Sequence, residues 1–187
     1  MSAAPSSVSG ETPSTPGPGN PHRVVRVIKV VVNAGVGESG EPRSKAEKVL
    51  QMVTRQKPVA TRSHSTNRDF GIRQGQEIGA KVTLRGDAAL EFLQRAFEAR
   101  DRQFDIDSID RNGNFSFGIA DYTDFSGMKY DPAIGIHGMD VAVEMGRAGH
   151  RIRTRRLQAR PLPKALRSTR EETRAFLVSQ LGVTILE

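Results

Sequence analysis

Gln76-Glu77-Ile78-Gly79-Ala80-Lys81-Val82-Thr83-Leu84-Arg85 alternates polar or small positions with apolar ones from Glu77 onward. Successive side chains of a strand point to opposite faces, so Ile78, Ala80, Val82 and Leu84 share one side while Glu77, Gly79, Lys81, Thr83 and Arg85 share the other. One face packs and the other stays open and polar. A sheet built from such strands needs helices on a single face, which is the pattern of an antiparallel α+β sandwich and not of a parallel sheet covered on both sides.

The flanking sequence extends the same arrangement. Upstream, Val24 to Asn33 is rich in Val and Ile and runs into Asn33-Ala34-Gly35, a strand and its turn. Pro42 suits a first helical turn, and Ala46, Val49, Leu50 and Val53 recur at helical spacing until Pro58 stops them. Lys57 to Ser63 reads as a second strand, and Arg62 to Gln76 as a long exposed loop. Downstream, Gly86-Asp87 opens a helix to about Arg100, marked by Ala89, Leu90, Leu93, Ala96 and Phe97. Phe115, Phe117 and Ile119 alternate as a fourth strand, Met139, Val141, Val143 and Met145 as a fifth, and His150 to Leu157 is expected to be a sixth. A capping box, Thr169 with Glu172, starts a last helix that buries Phe176 and Leu177.

The 187 residues hold 28 Lys and Arg against 21 Asp and Glu, and neither Cys nor Trp. No thiolate nucleophile, disulfide or Cys-ligated metal is available. Val24 to Val32, the longest apolar run, is broken by Arg26 and Lys29 and is far shorter than the roughly 18 to 20 residues of a spanning helix, so no membrane partner is expected. Residues 1–22 carry five of the ten prolines and a single charge, Glu11. They read as a disordered Pro/Gly/Ser-rich tail before one domain at 23–187, and the absence of Arg and Lys from Met1 to Asn20 argues against a transit peptide. With Glu11 removed, the domain itself carries a net charge of +8. Such an excess points to a polyanion, most often a nucleic acid.

Three motifs could carry chemistry. Gly35-Val36-Gly37-Glu38-Ser39-Gly40 is a literal G-x-G-x-x-G between a strand and a helix, but the acidic residue a ribose would need is missing from Arg55 to Arg68. Arg62 would leave an NADP version open, yet no repeated βαβ pattern follows, so a glycine-permitted turn is the reading adopted and no cofactor is expected. Asp105, Asp107, Asp110, Asn112 and Asn114 fail the spacing of a calcium loop and read as a turn. His22, His64, His137 and His150 are dispersed, so no metal site or nucleophile with its base is legible.

Charge is more informative. From Arg147 to Arg170 there are nine basic residues and no acidic one, and Arg151, Arg153 and Arg155 would share a face of the expected sixth strand. An acid-free run of this length favours a phosphate backbone. The 62–76 loop adds Arg62, His64, Arg68 and Arg73 around Phe70, a set suited to RNA contact by shape, phosphate and stacking.

Several blocks together resemble a known family. Val30 to Gly40, Gln56-Lys57-Pro58-Val59, Arg68 to Gly75, Lys81 to Gly86, Gly113 to Ile119 and Tyr130 to Val141 are similar, in order, to the large-subunit ribosomal protein five family, with an archaeal cast. The resemblance covers 23–187 and leaves the leader aside. It implies a non-catalytic, cytoplasmic ribosomal protein of the central protuberance that binds 5S rRNA, touches the large rRNA and reaches peptidyl-site tRNA through a loop. It further implies two protein neighbours, the other 5S-binding protein of the large subunit and a protein of the small-subunit head. Block by block, the 5S contacts fall on Asn33, Gln56 and Thr83, with Lys57 and Arg85 added as flanking positive charge. The tRNA-facing loop falls on His64, Arg68, Phe70 and Arg73, and further rRNA contacts are expected at Arg151, Arg153, Arg155 and Arg156. An NADP-dependent enzyme and an RNA-binding protein outside the ribosome are the competing readings.

Overall fold

The computed structural model describes residues 23–186. Five antiparallel strands, in the order β2-β3-β1-β6-β5, make the main sheet: β1 (Arg26–Gly35), β2 (Val59–Arg62), β3 (Glu77–Leu84), β5 (Phe115–Ile119) and β6 (Met139–Gly146). Strand β4 (Gln103–Asp105) pairs in parallel with β7 (Thr184–Leu186) in a separate two-stranded ribbon. The helices are α1 (Glu41–Thr54), α2 (Asp87–Glu98), the one-turn α3 (Arg151–Thr154) and α4 (Arg170–Leu181).

Helices lie on one face only. Val30, Val32, Ala34, Ala80, Val82, Leu84, Val141 and Val143 point into the core from the central strands and are buried. Against them α1 sets Ala46, Val49, Leu50 and Val53, with Pro42 in its first turn and Arg55 closing it in the left-handed region at φ 56°. Helix α2 contributes Ala89, Phe92, Leu93, Ala96 and Phe97. Phe97 stacks on Phe117 at 4.8 Å between ring centroids, while Phe104 meets Phe115 edge-on at 5.5 Å, so aromatic packing fixes α2 and β4 to β5.

The expected strand alternation, both long helices and the capping box at Thr169 and Glu172 are all present. Four expectations need correction. Residues 150–157 form no sixth strand: Gly149 turns the chain at φ 95°, Arg151–Thr154 makes one helical turn, and the chain then runs irregularly. Arg151, Arg153 and Arg155 therefore share no strand face. Leu90 is 37% exposed while Phe92 takes its place in the core, because the buried stripe runs 89, 92, 93, 96, 97. Phe176 is only half-buried beside the fully buried Leu177. The ribbon of β4 and β7 is an addition, since three-residue strands carry no readable period. The leader, residues 1–22, lies outside the described residues.

Candidate nucleic-acid interface

Register places the polar face residue by residue. Asn33 on β1 sits opposite Lys81 on β3 and Asp140 on β6, and Val31 sits opposite Thr83 and Ala142. Ser116 and Gly118 of β5 continue these two rows across Ala142 and Asp140. No long helix among the described residues covers this side, and only the one-turn α3 borders it, through Arg153. Among the described residues, the Asn33 amide, the Thr83 hydroxyl, the Lys81 ammonium and the Arg85 guanidinium have no hydrogen-bond or ion-pair partner. Asn33 and Thr83 are half-buried, so their unpaired groups are available to a partner, whereas Lys81 and Arg85 are exposed. Positive charge gathers on the β3 side, at Lys81 and Arg85, while the Asp140 carboxylate next to Asn33 repels phosphate and accepts from hydroxyl or base donors. Lys81 was readable from the alternation as a neighbour of Thr83 and belongs with the site.

Asn33 and Thr83 are thus brought onto one face, and Arg85 follows directly on the end of β3, exposed. Gln56 is not. It follows α1, donates its backbone N–H to Thr54 Oγ1 at 3.4 Å and borders a groove with Glu91, Gln94 and Arg95 of α2, on the helical side of the molecule. Lys57 is exposed between it and β2.

The loop joining β2 to β3 is a hydrogen-bonded hairpin extension. Asn67 and Ile72 exchange backbone bonds of 2.8 and 2.9 Å, Ser63 donates to Gln76 O at 2.9 Å, and Gln76 Nε2 ties the base of the loop to Ser39 Oγ at 3.0 Å. The tip, Arg68 to Gly71, carries Phe70 at 75% exposure, with Arg68, Arg73 and His64 exposed around it. An exposed aromatic ring on a hydrogen-bonded tip, among cations, has the chemistry to stack on a nucleobase.

The basic run divides into two classes. Arg147 is ion-paired with Glu172, and Arg170 with Asp107 at 3.0 Å, so two of the nine cations tie the segment to α4 and to the turn after β4. Arg155 donates twice to Gln158 O at 3.0 and 2.8 Å, holding its own bend. Arg151, Arg153 and Arg156 are exposed. The acids that compensate this run lie elsewhere in the chain, which a local reading of charge could not register.

Glu144, on the open face, links the sheet to that segment. It bonds Lys29 at 2.9 Å and lies 3.3 Å from His150 Nε2. Burial works to raise its carboxyl, but the Lys29 hydrogen bond and the charges of Lys29, His150 and Arg153 outweigh burial and hold it below its ordinary value. This cluster was not anticipated, because its members lie on β1, β6 and the turn after β6.

The glycine motif is a turn locked to the sheet. Gly37 at φ 79° and Gly40 at φ 105° shape it, and the N–H groups of Val36 and Gly37 both donate to Ile78 O, at 3.1 and 2.9 Å. Those donors are aimed at a neighbouring strand, where a pyrophosphate would require them free. The Asp/Asn stretch is likewise a turn, closed by Asp110 N–H to Asn114 O at 2.7 Å.

A one-sided antiparallel α+β sheet, with a polar face that no long helix covers, a cation-ringed aromatic tip and a basic flank, is the class of fold and surface that the chain presents, without an assembled catalytic group among its described residues. The family description "Ribosomal protein L5" matches residues 20–73, and "ribosomal L5P family C-terminus" matches residues 77–180. The chain is 50% identical over 168 residues to the large ribosomal subunit protein uL5 of Picrophilus torridus, spanning 89% of this chain and 96% of that one. It is 48% identical to the uL5 of Thermoplasma acidophilum (89% and 99%) and 47% identical to that of Aeropyrum pernix (89% and 88%). The chain belongs to the ribosomal protein L5 family, structural constituents of the large ribosomal subunit, and these archaeal relatives are named as ribosomal proteins and not as enzymes.

Proposed function

We propose that this chain, a large-subunit protein of the cytoplasmic ribosome, binds 5S rRNA with residues 23–187 and attaches it to the large rRNA in the central protuberance. The observation that carries the reading is the open face, where Asn33 and Thr83 stand unpartnered beside Lys81 and Arg85 in a chain of the L5 family. Asn and Thr can donate to and accept from base edges and the 2′-hydroxyl, and the cations supply charge-assisted bonds to phosphate. Gln56 and Lys57 would meet RNA around the β2 edge, away from the central rows. The hairpin tip with Phe70, Arg68, Arg73 and His64 suits contact with peptidyl-site tRNA. Further surfaces would meet the other 5S-binding protein and a protein of the small-subunit head.

Titrating the purified protein with 5S rRNA and, in parallel, with NADPH tests this reading. Tight 5S binding and co-sedimentation with large subunits are expected. NADPH binding without RNA preference, or RNA binding without co-sedimentation, would overturn it.

A further inference from the structure

The open face does not end at β6. A shallow groove over Val31, Ala142 and Ser116 runs along it to Asn114, Glu144 and Arg153. Those last three residues also border a second cavity, of about 330 Å³, roofed by the basic segment as it folds back over the end of β6. Its walls are of two kinds. Pro161, Leu162 and Leu166 supply apolar surface, while Asn114, Arg153 and Arg167 supply polar groups beside the Glu144 carboxylate, which Lys29 already pairs; the Ser168 hydroxyl, also at the wall, is spent on Asn112 O. The Asn114 side-chain oxygen accepts from Met145 N–H at 3.2 Å, which fixes the amide and leaves its NH₂ to donate. Arg153 and Arg167 are exposed.

We propose that this cavity receives one unstacked nucleotide of ribosomal RNA, its base between the apolar walls and its phosphate on Arg153 and Arg167. The proposal rests on the RNA-binding function above and extends its site from the sheet into the basic segment. The volume lies at the lower end of the range, about 300 to 1,000 Å³, that takes small organic ligands. A site for phosphate alone would not need the Pro and Leu walls, and a site for a lipid or peptide side chain would not need two arginines. RNA recognition characteristically inserts splayed bases into such apolar slots and reads their edges with amides. The shared border at Glu144 and Arg153 lets one strand lie on the open face and end in the cavity.

The test uses the full chain with 5S rRNA and, separately, deproteinised large-subunit rRNA. Ala148 lines the cavity, so Ala148→Phe fills it without removing a charge. The expected result is a 5- to 50-fold loss of affinity for one of the two RNAs, with chemical probing showing restored reactivity at one nucleotide. The RNA affected identifies the source. Unchanged affinity and probing for both RNAs in a folded variant would overturn the cavity proposal while leaving the function intact. Failure of the wild-type protein to bind either RNA would overturn both. If Ala148→Phe does not fold, photocrosslinking of the wild-type protein decides: a mononucleotide adduct between Met145 and Ser168 is expected, and adducts confined to other stretches would overturn the proposal.

Discussion

Thr83 contributes a single hydroxyl to the open face, and its neighbours across the sheet, Val31 and then Ala142, are too small to cover it. Thr83→Val keeps the shape and the strand preference and removes only that hydroxyl. Leaving an RNA group unpaired costs about 1 to 3 kcal/mol, so 5S rRNA affinity should fall about 5- to 150-fold, while the thermal midpoint stays near that of the wild type. Unchanged affinity would remove Thr83 from the site. Glu144 makes a different prediction. Its carboxyl is held below its ordinary value in the fold, so it adds stability above the carboxylate range of the unfolded chain, and that stability is lost as pH falls through the folded value. Glu144→Gln should therefore lower the urea midpoint at neutral pH, by the equivalent of about 0.5 to 1 kcal/mol for a partly screened pair. The gap from wild type should close on acidification. A gap that widens in acid would contradict the charge cluster.

Helix α4 is held by contacts that cross 60 residues of sequence. Thr173 Oγ1, fully buried, donates to Gly113 O at 2.9 Å, and a Cβ on Gly113 would come within 2.5 Å of that same oxygen. Gly113 also sits at φ 73°, where a side chain is strained. Left-handed strain of about 1 to 2 kcal/mol together with overpacking of about 1 to 3 kcal/mol predicts that Gly113→Ala destabilises the fold by roughly 2 to 5 kcal/mol, read as a shift of the denaturant midpoint at constant slope. A shift under 0.5 kcal/mol would mean that α4 is not docked there. What was legible at this scale was whatever repeats locally: the period of β3, the stripe of α1, the capping box of α4. Thr83 and Lys81 could be assigned to one face from that period alone. Leu90 lines up with Leu93 and Phe97, and Phe92 with Ala89 and Ala96, so the period allows two overlapping stripes and only packing against the sheet chooses the one with Phe92. Arg151-Ile152-Arg153-Thr154-Arg155 mimics a strand, but its other face holds a lone Ile152 and nothing to bury, so the segment coils, and Arg155 bonds the Gln158 carbonyl instead. The pairs Arg147 with Glu172 and Arg170 with Asp107 were hidden for the same reason as Thr173 with Gly113: each joins elements that only the fold brings together.

The charge of the whole molecule follows from that division, and it makes the basic run testable as two populations. The domain carries +8, but cations already neutralised inside the fold do not displace counterions from RNA. Arg147 and Arg170 are of this kind, whereas Arg151 and Arg153 stand exposed on the one-turn helix. Salt dependence separates them, since every phosphate that a cation ceases to neutralise lowers the slope of log K against log salt by about 0.7 to 0.9. Arg151→Gln with Arg153→Gln should flatten the slope by about 1.5 for whichever rRNA the segment meets, with little change in thermal stability. Arg147→Gln with Arg170→Gln should do the reverse. Losing the partly buried Arg147–Glu172 pair, and with it the Arg170 hydrogen bond to Ile106 O and its pair with the exposed Asp107, leaves α4 less firmly seated, so the thermal midpoint drops while the slope of the protein that remains folded is kept. Equal slopes for both double variants would mean that the run acts as one undivided patch, with its position in the fold irrelevant to RNA affinity.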